Sequence, residues 1–286
     1  PTQASVKTCQ SLGIQPDILV CRSDYPLEDG MKDKIALFCN VPSENVIQNL
    51  DVDVLYEVPL AMEKEHLADA VCKCLKVDCP KPDLDDWIAM IDRWKNPVKK
   101  VKIALVGKYV SLHDAYISVV EALKHSSFAC NSDLEIMWMD SELLNDDNVA
   151  EQLKDADGII VPGGFGDRGI EGMISAIKYA RENNVPYLGL CLGMQLTIVE
   201  FARNVLGYHD AHSSEFNPSS VHQVIHIMPD QDGVTDLGGT LRLGAYPCVL
   251  KEGSKSYELY GTKEISERHR HRYEVNNDYR EALVAN

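Results

Sequence analysis

The sequence is short of positive charge. It has 28 Lys and Arg residues against 44 Asp and Glu residues, so the formal net charge of the 286-residue chain is −16. The electrostatic field of this negative charge repels phosphate backbones, so we expect no binding to nucleic acid. Single nucleotides are not excluded, because backbone N–H groups and individual lysine or arginine side chains hold phosphates locally.

Long hydrophobic runs are also missing. No apolar segment approaches the roughly 20 residues that cross a bilayer, so we expect no transmembrane helix and no membrane partner. The nine cysteines follow no regular disulfide spacing, which is typical of free thiols in a reducing compartment and predicts a cytoplasmic protein. Cys72, Cys74 and Cys79 crowd together near His66, but no fourth ligand has zinc-finger spacing. We therefore predict small hydrophobic residues there and no metal site.

The length is enough for about two domains. Residues 1–80 have a mixed α/β pattern, with a strand expected at Asp17–Cys21 and a helix at Met31–Cys39. Residues 81–100 are predicted to form an interdomain helix, N-capped by Asp83, and a linker.

From residue 101 to residue 286 short apolar strands alternate with amphipathic helices. Strands are expected at Val101–Gly107, Leu134–Met139, Gly158–Val161 and Tyr187–Leu190, and helices at Asp114–His125, Val149–Lys154, Ile170–Asn183 and Met194–Asn204. The first of these helices should carry Ile117, Val120 and Leu123 on one face. This alternation predicts an α/β fold with a parallel sheet covered on both faces, whose sites form at the carboxyl ends of the strands.

The clearest chemical motif is Gly189-Leu190-Cys191-Leu192-Gly193. It has the form in which a strand turns sharply into a helix and lifts a nucleophile above the sheet, with glycines tolerating the strained turn. We predict that Cys191 is this nucleophile. At a helix N-terminus the helix dipole and free N–H groups favour the reactive thiolate. The alternative is a buried structural cysteine between two glycines.

A glycine-rich loop, Pro162–Gly169, follows the strand that ends at Val161. Gly164, Gly166 and Gly169 match the G-x-G-x-x-G spacing of a dinucleotide-binding turn, which is a weak signal by itself. The other interpretation is that the loop presents backbone N–H groups to the oxyanion formed when Cys191 attacks an amide. The second interpretation suits the turn better.

The two motifs together resemble the oxyanion loop and nucleophile elbow of class I glutamine amidotransferases. Further segments resemble the CTP synthase family in particular, namely 213–216 (SSEF), 237–244 (LGGTLRLG), 267–276 (ERHRHRYEVN) and, upstream, 1–3 (PTQ), 16–24 (PDILVCRSD) and 34–41 (KIALFCNV). This resemblance implies a flavodoxin-like amidotransferase domain over residues 101–286, preceded by the α/β tail of a P-loop-type synthetase domain.

The resemblance also implies an activity: ATP-dependent amination of UTP to CTP, with ammonia released from glutamine at Cys191. It implies GTP as an allosteric activator, CTP as a feedback inhibitor, a homotetramer, and Mg²⁺ held by residues outside this chain. The implied glutamine and oxyanion residues are Gly164, the backbone of Leu192, Gly193, Met194 and Gln195, and Glu215 and Arg272 for the α-amino and α-carboxylate groups. The implied nucleotide-binding residues are Thr2, Gln3 and Lys34 for UTP and CTP, and Asp51 and Val52 for adenine; Gly238–Gly244 resembles the lid of the GTP response.

One expected part is missing from the sequence. The family takes its catalytic His and Glu from a His-Pro-Glu motif that the chain, ending at Asn286, does not contain. His269 and His271 match the substrate-binding strand instead, so we expect an inactive fragment. The alternative from another class is a non-catalytic nucleotide-binding or oligomer-assembly module. A GMP-synthase-like amidotransferase fits the elbow but not residues 267–276.

Overall fold

The computed structural model describes residues 1–28, 30–228, 233 and 242–286. The chain divides into two compact units, Pro1–Pro97 and Val98–Asn286. The division between the units lies between Pro97 and Val98. Each unit is described by itself.

The first unit is a small α/β assembly around two parallel strands. Its elements are α1 (Thr2–Ser11), β1 (Leu19–Ser23), α2 (Met31–Cys39), β2 (Val46–Leu50), α3 (Val58–Lys64), α4 (Leu67–Leu75) and α5 (Asp85–Lys95). β1 pairs with β2 in parallel, so Ser23 and Leu50 lie side by side at the carboxyl ends. Val6, Cys39 and Val46 belong to the buried core that holds α1 and α2 against the strands.

The predicted N-cap of α5 is wrong by one residue. Leu84 occupies the N-cap position, while the Asp83 carboxylate accepts a hydrogen bond from the Asp85 amide at 3.1 Å, just before the helix. Short acidic side chains readily form such local turns, which delay the start of a helix. The Trp87 indole donates to the Tyr56 carbonyl at 2.7 Å and ties α5 to the first unit.

The second unit is built on a four-stranded parallel sheet. Its elements are β3 (Lys99–Gly107), α6 (Ile117–Ala129), β4 (Ser132–Asp140), α7 (Val149–Leu153), β5 (Gly158–Val161), α8 (Ile170–Glu182), β6 (Tyr187–Gly189), α9 (Leu192–Asn204), β7 (His212–Ser213), β8 (Gln223–Ile227), β9 (Arg242–Val249), α10 (Lys255–Tyr260), β10 (Glu264–His271), β11 (Tyr273–Val275) and α11 (Arg280–Ala285). The sheet order is β4-β3-β5-β6. The predicted parallel α/β architecture is confirmed.

The core of this unit lies where α8 and α9 cover the sheet. Met173 and Leu196 are fully buried there, and Val161 of β5 packs beneath them. β5 is buried along its whole length, as expected for a central strand of a parallel sheet. This packing fixes the position at which β6 passes into α9.

The predicted shared face of α6 is wrong at Ile117, since Leu123 packs against the core and Ile117 does not. Ile117 is 56% exposed, and the inward position belongs to Tyr116, which is 4% exposed. A 3₁₀ turn over residues 113–116 precedes α6. A 3₁₀ turn has about three residues per turn instead of 3.6. The residues that face the core therefore differ from those of an α-helix that begins at Asp114.

Two smaller sheets complete the unit. β8 lies between β7 and β11, and β9 pairs antiparallel with β10. Residues 238–241 of the lid expected from the resemblance lie outside the described residues, and Gly244 of the same segment pairs with His269 in the β9–β10 register. In the described part of the chain, the helices are all too short or too polar to cross a membrane.

Candidate active site

Three segments leave the sheet at neighbouring carboxyl ends. Lys108 follows β3, Pro162 begins the glycine loop after β5, and Cys191 lies at the end of the turn after β6. The strand order reverses at β3, because β4 lies on one side of it and β5 on the other. Ligands bind at such a reversal in open α/β sheets, so the fold itself marks this edge as the place for a site.

Cys191 occupies a strained turn. Its φ of 52° and ψ of −104° place a non-glycine residue at positive φ, directly before α9. The neighbouring glycines serve a different purpose from the one expected. A Cβ on Gly193 would lie 2.1 Å from the Val161 carbonyl oxygen, and a Cβ on Gly189 would lie 2.6 Å from the Gly193 carbonyl carbon. The glycines therefore provide space, while the cysteine carries the strain.

The turn is also bonded to the strand beside it. The Leu190 amide donates to the Val161 carbonyl at 2.9 Å. The same carbonyl oxygen is the one that a Gly193 side chain would strike. The nucleophile turn and the strand that leads into the glycine loop thus meet at a single carbonyl group.

The thiol of Cys191 is exposed but not acidic. A hydrogen bond from the Leu192 amide favours the thiolate. Desolvation by the surrounding protein, followed by the negative charge of Glu215, outweighs it and raises the pKa of Cys191 above its ordinary value. The amide contribution that the sequence predicts is thus present, but burial and the charge of Glu215 outweigh it.

The glycine loop lies against the nucleophile. A Cβ on Gly163 would lie 3.4 Å from Cys191 Cβ and 3.9 Å from Cys191 Sγ. A Cβ on Gly164 would lie 3.4 Å from a methyl carbon of Leu192 and 3.2 Å from Lys108 Cε. Within the described residues, neither glycine donates its amide to a backbone carbonyl. Bare backbone next to the thiol is the arrangement that an oxyanion site requires.

The backbone amides of the first turn of α9 have different partners. The Gly193 amide donates to the Leu190 carbonyl at 2.9 Å, and the Gln195 amide donates to the Cys191 carbonyl at 3.1 Å. The Leu192 amide is the one directed at the sulfur. The expected set 192–195 therefore forms the turn that follows Cys191, but two of its four amides already serve the turn itself.

The side chains of this turn hold it in place. Gln195 is buried, and its amide nitrogen donates to the Tyr273 carbonyl at 3.1 Å, which connects α9 to β11. Leu192 is buried in the core, whereas the Met194 side chain is exposed. The hydrogen bond from Gln195 thus ties the cysteine turn to Tyr273, the residue that directly follows Arg272.

Glu215 and Arg272 bring opposite charges to the same region. Burial raises the pKa of Glu215, while a hydrogen bond from the Gly166 backbone and the charge of Lys108 oppose the rise. Burial also raises the pKa of Tyr273, with Glu215 adding to this effect and Arg272 opposing it. Because Glu215 acts on both Cys191 and Tyr273, the carboxylate, the guanidinium and the thiol share one neighbourhood. A free amino acid has the complementary pair of charges.

Lys108 is the site residue that the sequence analysis missed. It is 3% exposed, and its ammonium donates to the Phe165 carbonyl at 3.0 Å and to the Gly166 carbonyl. The available signal was its position, since it directly follows a buried strand at the carboxyl edge of the sheet. A lysine at such a position is easily taken for a surface residue.

The geometry opposes the dinucleotide interpretation of the glycine loop. In a dinucleotide site the loop amides face a pyrophosphate. Here the Gly166 backbone faces the Glu215 carboxylate closely enough to lower the pKa of that group, and a carboxylate repels phosphate. A Cβ on Gly169 would lie 2.3 Å from Ser141 Oγ, so close packing against a neighbouring segment is sufficient reason for this third glycine.

The expected nucleotide-binding residues all lie in the first unit. Asp51 and Val52 directly follow β2 at its carboxyl end, and the Asp51 carboxylate accepts a hydrogen bond from Arg22 Nε at 3.2 Å. Thr2 and Gln3 begin α1, where Thr2 lines a cavity of about 350 Å³. Lys34 is exposed on α2 and makes no side-chain hydrogen bond or ion pair within the described residues. The structure thus brings Asp51 and Val52 together at a strand end and shows no contact joining them to Lys34.

The cysteines that suggested a zinc site form a pair. The Cys79 thiol hydrogen-bonds Cys72 and raises the pKa of Cys72. Across residues 1–28, 30–228 and 242–286, no three His, Cys, Asp or Glu side chains come together in a way that holds a metal ion.

Comparisons with known proteins agree with this geometry. Residues 111–285 match the profile of the class-I glutamine amidotransferases, and residues 1–77 match the profile of the CTP synthase N-terminus. The chain is 57% identical to the CTP synthase of Clostridium beijerinckii over 284 residues, which cover 99% of this chain and 53% of the relative. It is 56% identical to the CTP synthase of Geobacillus kaustophilus over 280 residues, which cover 98% and 53%.

A solved structure has the same fold. It is the glutaminase domain of Trypanosoma brucei CTPS with bound acivicin, which is 42% identical, has a TM-score of 0.60, and aligns with 65% of this chain and 72% of its own. The chain spans about half the length of the curated relatives that it matches. The matched profiles, the sheet order and the cysteine turn all lead to the same assignment. The chain belongs to the class-I glutamine amidotransferase family and, within it, to the CTP synthases.

Proposed function

We propose that this chain supplies the glutamine-hydrolysing site of a CTP synthase. The observation that carries the proposal is the placement of Cys191 on a strained turn, with the bare backbone of Gly163 and Gly164 against it. The ammonia released there aminates UTP to CTP at the expense of ATP in the whole protein.

The reaction at Cys191 follows from these surroundings. The thiolate attacks the side-chain amide carbon of glutamine, a C–S bond forms, and the carbonyl oxygen becomes an oxyanion stabilised by backbone N–H groups. The C–N bond then breaks with protonation of the leaving nitrogen, and water hydrolyses the thioester to glutamate. Because the pKa of the thiol is raised, its proton has to pass to a base. We propose that this base belongs to the part of the protein that the 53% overlap with the relatives does not cover.

Glu215 and Arg272 account for recognition of the amino acid itself. An ionised Glu215 pairs with the α-ammonium group, and the fork of Arg272 pairs with the α-carboxylate. Both charges lie beside Tyr273, next to the nucleophile turn. Substrates that lack either charged group should therefore bind weakly.

The nucleotide part of the proposal rests on the relatives and on the first unit. We assign Thr2, Gln3 and Lys34 to UTP and to CTP as feedback inhibitor, and Asp51 and Val52 to the adenine of ATP. GTP activation, Mg²⁺ bound by residues outside this chain, a homotetramer and a cytoplasmic location complete the proposal. The profile match at residues 1–77 and the placement of Asp51 and Val52 after a parallel strand support it.

Replacement of Arg272 by alanine tests the glutamine clamp. In the full-length protein we expect the KM for glutamine to rise about 100-fold, because a desolvated charge pair is lost. Steady-state kinetics with glutamine and with free ammonia measure this directly. Arg270→Ala is the matched control, since Arg270 is exposed two residues earlier on β10. An equal fall of glutamine- and ammonia-dependent CTP formation in Arg272→Ala would remove Arg272 from the clamp.

A further inference from the structure

A buried lysine and a half-buried carboxylate hold opposite ends of one peptide group. Lys108 Nζ donates to the Phe165 carbonyl at 3.0 Å, and the Gly166 N–H lies near enough to the Glu215 carboxylate to lower the pKa of that group. In a trans peptide the carbonyl and the following N–H point in opposite directions. The Phe165–Gly166 peptide therefore lies as a bridge between the lysine on one side and Glu215 on the other.

Lys108 itself is fixed at its backbone. Its amide donates to the Tyr116 hydroxyl at 3.1 Å, and its carbonyl accepts from Arg168 Nη2 at 3.0 Å. The Tyr116 ring is buried against Leu105 and Ile160 of the sheet, and the Arg168 guanidinium lies over the Tyr109 ring at 5.6 Å. The ammonium group thus extends from a backbone that is held at both its amide and its carbonyl.

The stem of Lys108 also borders the expected oxyanion loop. A Cβ on Gly164 would lie 3.2 Å from Lys108 Cε. The ammonium additionally donates to the Gly166 carbonyl. Lys108 therefore contacts the loop along its length, from the glycine nearest Leu192 to the glycine that bonds Glu215.

We propose that Lys108 is a positioning residue for glutamine, which orients Glu215 through the Phe165–Gly166 peptide and holds the loop against Cys191. This inference rests on the proposed function and adds a residue that acts through others, without touching the substrate. A buried cation is costly to maintain, and two neutral carbonyls would not by themselves require one. The charge has a partner in Glu215, whose carboxylate lies on the far side of the bridging peptide.

The charges around Lys108 give the proposal a pH signature. Burial, and then the charge of Arg168, lower the pKa of Lys108, while Glu215, Asp167 and Glu142 act in the opposite direction. Lys108 in turn lowers the pKa of Glu215. Loss of the ammonium removes that effect, so the carboxyl of Glu215 will titrate at a higher pH.

The test compares Lys108→Met with the wild type in the full-length protein. We expect the KM for glutamine to rise at least about 10-fold, because the carboxylate is displaced and less ionised, while kcat changes less. The acid limb of kcat/KM should move to higher pH, since Glu215 binds the α-ammonium group only when ionised. Lys102→Met is the matched control, because Lys102 lies on β3, which Lys108 directly follows, and among the described residues its ammonium pairs only with Glu135.

Two further measurements separate positioning from general stability. Lys108→Arg keeps the charge but not the compact ammonium, so we expect a raised KM with the acid limb unchanged. Thermal unfolding of each variant reports folding. A folded Lys108→Met variant with an unchanged KM and pH profile overturns the proposal. If the methionine variant does not fold, a Lys108→Arg variant with the wild-type KM overturns it. A wild-type protein that hydrolyses no glutamine would overturn the proposed function instead.

Discussion

Replacement of Cys191 by alanine should abolish glutamine-dependent CTP formation in the full-length protein. Loss of a nucleophile from a covalent mechanism costs at least about 10³-fold, because the backbone donors that remain cannot replace the bond to carbon. CTP formation from free ammonia uses a different site and measures whether the protein is folded. Cys248→Ala is the control, since Cys248 is also a free and exposed cysteine.

A glutamine-like diazoketone gives a second measurement of the same cysteine. We expect one equivalent of covalent label on Cys191 in the full-length protein and none in Cys191→Ala. Mass spectrometry of the digested protein locates the label. Equal labelling of both proteins would end the assignment of the nucleophile.

The raised pKa of Cys191 adds a pH dependence for this chain by itself. The thiolate is the form that reacts with a small alkylating reagent, and a raised pKa means that this form appears only at higher pH. The rate of alkylation by iodoacetamide should therefore keep increasing through and beyond about pH 8.5, the ordinary cysteine value. A rate that levels off near neutral pH would show an acidic thiol.

The second large effect is expected from Gly193→Ala. The new Cβ would lie 2.1 Å from the Val161 carbonyl oxygen. Because the backbone fixes the positions of both atoms, no side-chain rotation can relieve this clash. We expect a loss of about 1–3 kcal/mol in the free energy of unfolding from overpacking. Displacement of the nucleophile by about 1 Å should also reduce glutamine hydrolysis about 10²-fold.

Gly158→Ala is the matched control for this effect. Gly158 lies on β5 of the same sheet, but its added Cβ would first meet the end of the flexible Ile103 side chain at 3.0 Å. Chemical denaturation and glutaminase kinetics compare the two variants. If Gly158→Ala lost as much hydrolysis as Gly193→Ala, the effect would belong to the core in general and not to the cysteine turn.

The architecture of the second unit was predictable because it depends on local periodicity. Apolar runs at β3 and β5 and the repeat of Met173, Ile174 and Ile177 on α8 determine the layers without knowledge of distant contacts. The glycine spacing around Cys191 was equally visible. Local pattern thus located the nucleophile turn and the sheet edge that carries it.

What the sequence did not reveal depends on segments far apart in the chain. The pKa of Cys191 is raised in part by Glu215, and sequence alone does not show that this carboxylate returns to the thiol. The role of Lys108 depends in the same way on two carbonyls of the glycine loop. Electrostatic influences of this kind come from proximity in three dimensions, so a motif that predicts a nucleophile does not predict its state of ionisation.

The contact between the cysteine turn and Val161 has a consequence for inhibition. The Val161 carbonyl accepts the Leu190 amide at 2.9 Å and leaves no room beside it at Gly193. A displacement at the start of the glycine loop is therefore transmitted to the sulfur without an intervening flexible side chain. A change that moves Val161 should therefore lower the reactivity of the thiol even where it leaves the glutamine-binding side chains in place.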